Sequence, residues 1–384
     1  MPATILIALM GLEIGGAETH AVVLSRHLQE MGYKVVMASS GGRYEAEIAS
    51  YGIRHYTVPL DNSRLCSMWS SIRTIRRLLQ QEKIDLIHAH ARIPAFVSDW
   101  ARFGTGVPMI TTAHARFKSP LHLRYLSRWG KKVIAVSPDI RTHLIENYRV
   151  SPAQIQLIYN GIDVEVFNPD RPELTEGAEK DRLTLTGPRL LYLSRLDESL
   201  TPVALNLIEA VRRLYPAYPG LQLRIAGEGP GQETVIARIH EIQQRQEPHQ
   251  ERDQEPETIQ FLGALPWVHQ AMLSSDLVIG VSRVALEAMA CARNVILAGG
   301  EGFAGLIQPE HLSAYESDNF TGRQSRTPST VERIQAALQQ FLQLTEAERA
   351  HIGRQLRQYI VDHYSSRQMA RETAEVYQQV LAEK

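Results

Sequence analysis

Asp276-Leu-Val-Ile-Gly-Val-Ser-Arg-Val-Ala-Leu-Glu-Ala-Met-Ala-Cys-Ala-Arg-Asn-Val-Ile-Leu-Ala-Gly-Gly300 is the stretch from which the fold can be read. It spells a buried strand (residues 277–279), a loop (280–283), a helix and a second buried strand (295–298). Short, continuously apolar runs separated by a helical repeat mark a parallel sheet covered on both faces. The loop Gly280-Val-Ser-Arg283 therefore leaves the carboxyl end of a strand and opens a helix. In open α/β sheets ligands bind there, because backbone N–H groups and the helix dipole favour anions. Glu287 falls on the first or second turn of that helix, where an acidic side chain also complements the dipole.

The same rhythm runs through the chain. Thr4-Ile-Leu-Ile-Ala-Leu9 is a strand, and Gly15 and Gly16 form the turn into a helix bearing Ala21, Val22, Leu24 and Leu28 at helical spacing. Glycines there let a ligand approach the backbone closely, but the Gly-x-Gly-x-x-Gly dinucleotide fingerprint is absent. The segment 84–92 is a strand ending in His88, His90 and Arg92, and Met109-Ile-Thr-Thr-Ala-His114 repeats the pattern with a terminal histidine. Two histidine-bearing strand ends beside a glycine loop make a candidate site. The segment 65–81 is a helix with Arg73, Arg76 and Arg77 on one face, which is either solvated surface or a contact for anionic lipid. Residues 170–187 have linker composition, and residues 241–258 read as a helix end and surface loop. The strands restart at 189–195 and 221–226, the latter running into Gly227, and the segments 331–345 and 366–382 have helical spacing.

Size and composition set the bounds. The 384 residues suffice for two cores. A net charge of −1 gives no support to a nucleic-acid partner. No apolar run reaches the roughly 18–20 residues of a membrane span, and no secretory signal is visible. Two cysteines, Cys66 and Cys291, make neither a disulfide framework nor a zinc site by themselves. With no Asp-x-Asp pair at a strand end and no Cys/His metal cluster, no catalytic metal is expected. A cytoplasmic protein, peripheral on the inner membrane face at most, fits these bounds.

Leu-Glu-Ala-Met-Ala-Cys (286–291), Gly-Gly-Ala-Glu (15–18) and Asn-Gly-Ile-Asp (160–163) together resemble glycosyltransferase family 4. The resemblance implies the GT-B architecture, an α/β fold of two Rossmann-like βα domains facing each other across a deep cleft. It implies an N-terminal acceptor-side domain over 1–168, a linker over 169–187 and a nucleotide-sugar domain over 188–365. A helix over 366–384 then crosses back to the first domain. The implied activity is retaining, metal-independent transfer of a hexose from a nucleotide sugar such as a UDP- or GDP-sugar, with no other cofactor. A glycan or lipid-linked acceptor of cell-envelope or exopolysaccharide biosynthesis is implied too. On this resemblance His114, Arg195 and Glu287 are catalytic, and Gly15, Gly16, Gly227, Arg283, Glu287 and Arg323 bind the donor. Glu18, His90 and Arg92 lie on the acceptor side.

Two positions depart from the family pattern. The first glutamate of its two-glutamate motif falls on Ile279, and its donor-site lysine falls on Leu200 or Thr201. The phrases at 194–197, 280–283 and 319–323 suggest a rebuilt subgroup site in which Arg283 and Arg323 supply the charge. A protein that binds a nucleotide sugar without turnover, and a GT-B epimerase, are the remaining readings. Nicotinamide oxidoreduction is disfavoured by the missing fingerprint.

Overall fold

The computed structural model describes residues 3–13, 15–116, 127–170, 187–245, 258–265 and 268–383. The linker segment and most of the 241–258 loop lie outside them. The chain forms two compact units. One runs to Asp163 and takes in Tyr364–Lys384, and the other is Val164–His363.

The first unit carries β1 (Thr4–Leu9), α1 (Gly16–Glu30), β2 (Lys34–Ser39), α2 (Glu45–Ser50), β3 (Arg54–Thr57), α3 (Leu65–Gln81) and β4 (Leu86–His90). It continues with α4 (Arg92–Arg102), β5 (Met109–Ala113), β6 (Lys132–Ala135), α5 (Pro138–Tyr148) and β7 (Ile155–Leu157). Its seven strands pair in parallel in the order β3-β2-β1-β4-β5-β6-β7. All six residues of β1 are buried, as a central strand covered on both faces requires. The order reverses between β1 and β4, so the loops leaving these two strands diverge there and open the sheet's carboxyl edge.

The C-terminal helix, Ser366–Ala382, belongs to this unit. It packs on α1 and buries Met369, Ala370, Ala374, Tyr377 and Val380 in the core formed by β1, β2 and α1. Full burial of each larger apolar side chain contributes about 1.5–3 kcal/mol. The parallel bridge between Ile162 and Ser365 fixes where the helix begins. A Cβ on Gly161 would strike the backbone of Ser366, so only glycine permits this approach.

The second unit carries β8 (Arg189–Leu193), α6 (Thr201–Leu214), β9 (Gln222–Ala226), α7 (Gln232–Arg245), β10 (Ile259–Gly263), α8 (Val268–Leu273) and β11 (Leu277–Gly280). Then come α9 (Arg283–Ala290), β12 (Asn294–Ala298), β13 (Phe303–Leu306), α10 (Leu312–Glu316), α11 (Val331–Gln343) and α12 (Glu346–His363). Strand order is β10-β9-β8-β11-β12-β13, parallel except for the β12–β13 pair. Here the reversal lies between β8 and β11. The segment Phe303–Leu306 is an antiparallel edge strand. Its partner is Ile296–Ala298. Helix α12 is unannounced, since its buried face is only Gly353, Leu356 and Ile360.

Candidate functional site

In the first unit four histidines converge at the reversal point. His90 is the last residue of β4, His114 follows β5, and α1 brings in His20 just after the Gly15-Gly16 turn. His90 Nδ1 lies 3.0 Å from His114 Nε2, and the two rings stack with centroids 5.3 Å apart. His20 packs edge-on against His114 at 4.8 Å and tilted against His90 at 5.6 Å. His88, two residues back along β4, sits 4.2 Å from the His90 ring. Its ring nitrogens meet the Tyr377 hydroxyl and Thr112 Oγ1, each at 2.7 Å. Burial, and then the neighbouring His114, push His88 down to about 3. Burial also holds His90 well below the ordinary histidine value. These two imidazoles are therefore neutral at physiological pH and offer lone pairs rather than positive charge.

The sequence reading, which expects no metal, does not anticipate this arrangement. One nitrogen from each of His20, His90 and His114 falls in a group within 4.8 Å of one another, a set that could hold an ion. Residues distant in the chain meet because β4 and β5 are neighbours and α1 returns over β1. His20 is missed because it sits on the apolar face of α1 beside Ala21 and Leu24, where it reads as core.

The other first-unit candidates are nearby in the chain but differently engaged. Gly15 caps α1 through its carbonyl, which accepts from Thr19 N and Oγ1. The Glu18 carboxylate occupies the space a Cβ on Gly15 would need, while Gly16 faces open space. Arg92 opens α4 and donates to the Tyr148 hydroxyl at 3.4 Å.

In the second unit the carboxyl edge is a set of interlocked loops. Arg195 follows β8 and is 81% exposed, 4.0 Å from Asp197. Gly227 follows β9 at φ +141°, and the Ser194 carbonyl fills the place of a Cβ. Gly300 likewise leaves no room for a Cβ against Ser199, nor does Gly302 against Gly322. Asn319 and Phe320 both adopt positive φ, and Phe320 O accepts from Ser282 N at 2.7 Å. Ser282 itself sits at φ 53°, ψ −125°, outside the usual regions for a residue with a Cβ. Strain of this kind persists only when its surroundings over-determine it, and here Asn319 donates to Ser282 Oγ at 3.0 Å.

The structure pairs two donor candidates with each other. Arg283 Nε donates to Glu287 Oε1 at 2.6 Å across one turn of α9, and their side chains are only 14% and 8% exposed. Burial raises the Glu287 carboxyl, and the neighbouring Arg283 opposes that shift. Arg323 donates through Nε to Thr321 Oγ1 at 2.7 Å and lies 3.3 Å from the Glu301 carboxylate. Ile279, where the resemblance leads one to expect a glutamate, is fully buried inside β11.

Comparison with known proteins adds a second line. Residues 14–166 match the profile described as Glycosyltransferase Family 4, and residues 187–340 match Glycosyl transferases group 1. The Homo sapiens phosphatidylinositol N-acetylglucosaminyltransferase chain is 26% identical over 270 residues, 66% of this chain and 51% of that protein. A D-inositol 3-phosphate glycosyltransferase from Streptosporangium roseum is 23% identical over 244 residues, 56% of this chain and 55% of that one. The chain thus spans about half the length of the curated relatives it matches. Among solved structures, a glycosyltransferase from Rickettsia africae ESF-5 superposes with a TM-score of 0.77 at 19% identity over 99% of both chains. Anabaena HepE in complex with UDP and glucose gives 0.74 at 17% identity, over 97% of this chain and 99% of that one. At these identities the structural likeness concerns the fold.

Proposed function

From the premise that the chain belongs to glycosyltransferase family 4 and has its GT-B fold of two Rossmann-like units, we propose that it moves a sugar from a nucleotide sugar to a glycan or lipid-linked acceptor. The transfer retains anomeric configuration and serves cell-envelope or exopolysaccharide synthesis. The observation that carries the reading is the carboxyl edge of the second sheet. An exposed guanidinium, Arg195, stands beside glycine loops where β8 and β11 part company. A diphosphate needs such a place, because negative charge grows on it as the sugar–phosphate bond breaks. The planar Arg195 fork suits phosphate oxygens, and the loop opening α9 brings backbone N–H groups and the positive end of the helix. Arg283, fixed by Glu287, and Arg323 supply further charge, so the donor needs no metal ion of its own. Gly227, closed against the Ser194 carbonyl, shapes the loop that receives the nucleotide, and Glu287 contacts its ribose.

On the first unit, Gly15, Gly16, Glu18, His90, Arg92 and His114 serve the acceptor, with His114 nearest the reacting sugar. The names of the relatives couple glycosyl transfer to phosphatidylinositol and to inositol phosphate, which supports an acceptor carrying a phosphate or a lipid. No helix among the described residues is long and apolar enough to cross a membrane, so a lipid-linked acceptor would be met at the surface. Helix α3 suits that contact. It exposes Arg73, Arg76 and Arg77 along with Leu65 and Trp69, and Trp100 and Phe103 of the neighbouring α4 region are exposed too. Basic and aromatic side chains together are what an anionic bilayer surface attracts.

The test is thermal shift with UDP, GDP, ADP and their sugar conjugates on wild type and Arg195→Ala, followed by nucleotide release with and without acceptor. One nucleotide should stabilise wild type and lose that effect in Arg195→Ala. NMR of the product should show the donor's anomeric configuration. A well-folded protein that binds none of these nucleotides would sink the reading.

A further inference from the structure

We propose that His20, His90 and His114 form a binding site for one divalent transition-metal ion of the zinc class. The inference rests on the geometry of the first unit and not on the glycosyl-transfer reading. One ring nitrogen from each residue lies within 4.8 Å of the others. His90 Nδ1 and His114 Nε2 are 3.0 Å apart, close to the roughly 3.3 Å that separates two imidazole nitrogens on a tetrahedral ion with bonds of about 2.0–2.1 Å. An ion between them replaces the shared hydrogen bond, and a side-chain rotation of His20 completes the set. His90 has a second ring nitrogen, Nε2, that is buried and has no hydrogen-bond partner among the described residues. With Nδ1 on the ion, Nε2 carries the ring proton, as a neutral imidazole ligand requires.

The fourth histidine of the group is excluded by its own bonds. Both His88 nitrogens are engaged, by Tyr377 and Thr112, so it serves as packing behind His90. The three ligands sit on firm supports: the end of β4, the residue after β5 and the buried face of α1. Sites held by strands and helices keep their geometry better than sites held by loops alone. An all-imidazole set selects zinc, copper, nickel or cobalt over magnesium and calcium, which take oxygen ligands. Three protein ligands also leave one tetrahedral position among the described residues for an oxygen ligand, the arrangement of zinc sites that bind water or substrate.

The experiment uses the full chain without a histidine tag, stripped with chelator and titrated with Zn2+ by calorimetry and with Co2+ by visible absorption. We expect one equivalent of Zn2+, the intense visible bands of tetrahedral Co2+, and loss of both in His20→Ala, His90→Ala and His114→Ala. His351→Ala, an exposed histidine on α12, should bind as wild type does. Because buried-histidine variants can misfold, pulsed EPR of Cu2+-loaded wild type is run alongside to count coordinated imidazoles without any substitution. Three supports the site. No binding, one imidazole or fewer, or binding that survives all three substitutions overturns it. Nucleotide binding to the second unit is read separately, so loss of this proposal leaves the donor reading intact, and the reverse.

Discussion

Removing Glu287 should cost far more stability than its position near a helix N-terminus suggests. The carboxylate lies 2.6 Å from Arg283 Nε, and both side chains are buried. Deleting one partner of such a pair strands the other charge in a poorly solvated place, a loss of about 3–5 kcal/mol. For a unit of this size each kcal/mol lowers the melting temperature by roughly 2–4 °C, so Glu287→Ala should melt roughly 6–20 °C lower. Replacing both partners by apolar residues, Arg283→Met with Glu287→Leu, removes the stranded charge and should return stability to within about 1 kcal/mol of wild type or above it.

The sign of the pH dependence follows from the shift. Burial raises the Glu287 carboxyl above its ordinary 4.5 despite the arginine beside it. Its contribution is therefore full below 4.5 and shrinks as pH rises through the folded-state value. Wild type should gain on the double variant as the solution is acidified toward 4.5. Thermal and urea unfolding of wild type, Glu287→Ala and the double variant measure both effects. A Glu287→Ala protein within about 0.5 kcal/mol of wild type would refute the buried-pair account. The double variant also separates roles: if it is stable yet binds no nucleotide, the pair serves the ligand as well as the fold.

Other consequences can be checked with the same equipment. Glu82, bonded to Lys34, Tyr56 and Arg54, is held down at about 2 by those partners. It stabilises fully above 4.5 and progressively less as pH falls toward 2. Because Lys34 and Arg54 are themselves at least half exposed, the screened contribution is about 1 kcal/mol, which Glu82→Gln should remove at pH 7 and not at pH 2. Ser282→Gly should be more stable than Ser282→Ala by about 1 kcal/mol, since both lose the Asn319 bond and only glycine relieves the strain at φ 53°. Equal stabilities would place the strain elsewhere. Replacing Arg73, Arg76 and Arg77 by serine should weaken binding to vesicles containing anionic lipid by roughly a hundredfold at low salt, taking about 1 kcal/mol per arginine. Unchanged sedimentation with vesicles would assign that face of α3 to solvent.

Much of the fold was legible because its signals are local. Strands such as Thr4–Leu9 and Leu277–Gly280 are continuous apolar runs, and α1 and α3 carry one apolar stripe each. The edge strand β13 was not, since its pairing to β12 is a tertiary event across a glycine-rich turn. The histidine group was half legible. His90 and His114 stand at strand ends, where sequence reasoning looks for function. His20 is disguised by the apolar helix face it occupies, and His88 is a core residue satisfied by Tyr377 from a helix more than two hundred residues further on. Likewise, the Arg283–Glu287 spacing is visible in the sequence, but the burial of both side chains is a tertiary property.

The two departures from the family pattern, at Ile279 and at Leu200 or Thr201, look independent in the sequence and are joined in the structure. Ile279 of β11 is in register with Tyr192 of β8, and both are fully buried in the same core. The Tyr192 hydroxyl donates to the Leu200 carbonyl at 3.0 Å. Thr201 in turn donates to the Asp197 carbonyl and closes against Gly231, which has no room for a Cβ. Here one tyrosine connects both replaced positions, its hydroxyl is satisfied, and its burial raises the phenol well above its ordinary value. On the proposed reading, Arg283 and Arg323 stand in for the positive charge of the expected lysine. Coordinated replacement of that kind argues for a rebuilt donor site rather than an abandoned one, and Tyr192→Phe tests it. Loss of the hydroxyl should loosen the Leu200 turn and weaken nucleotide binding while leaving the buried ring, and most of the stability, in place. A variant that binds nucleotide as wild type does would break the link between the two departures.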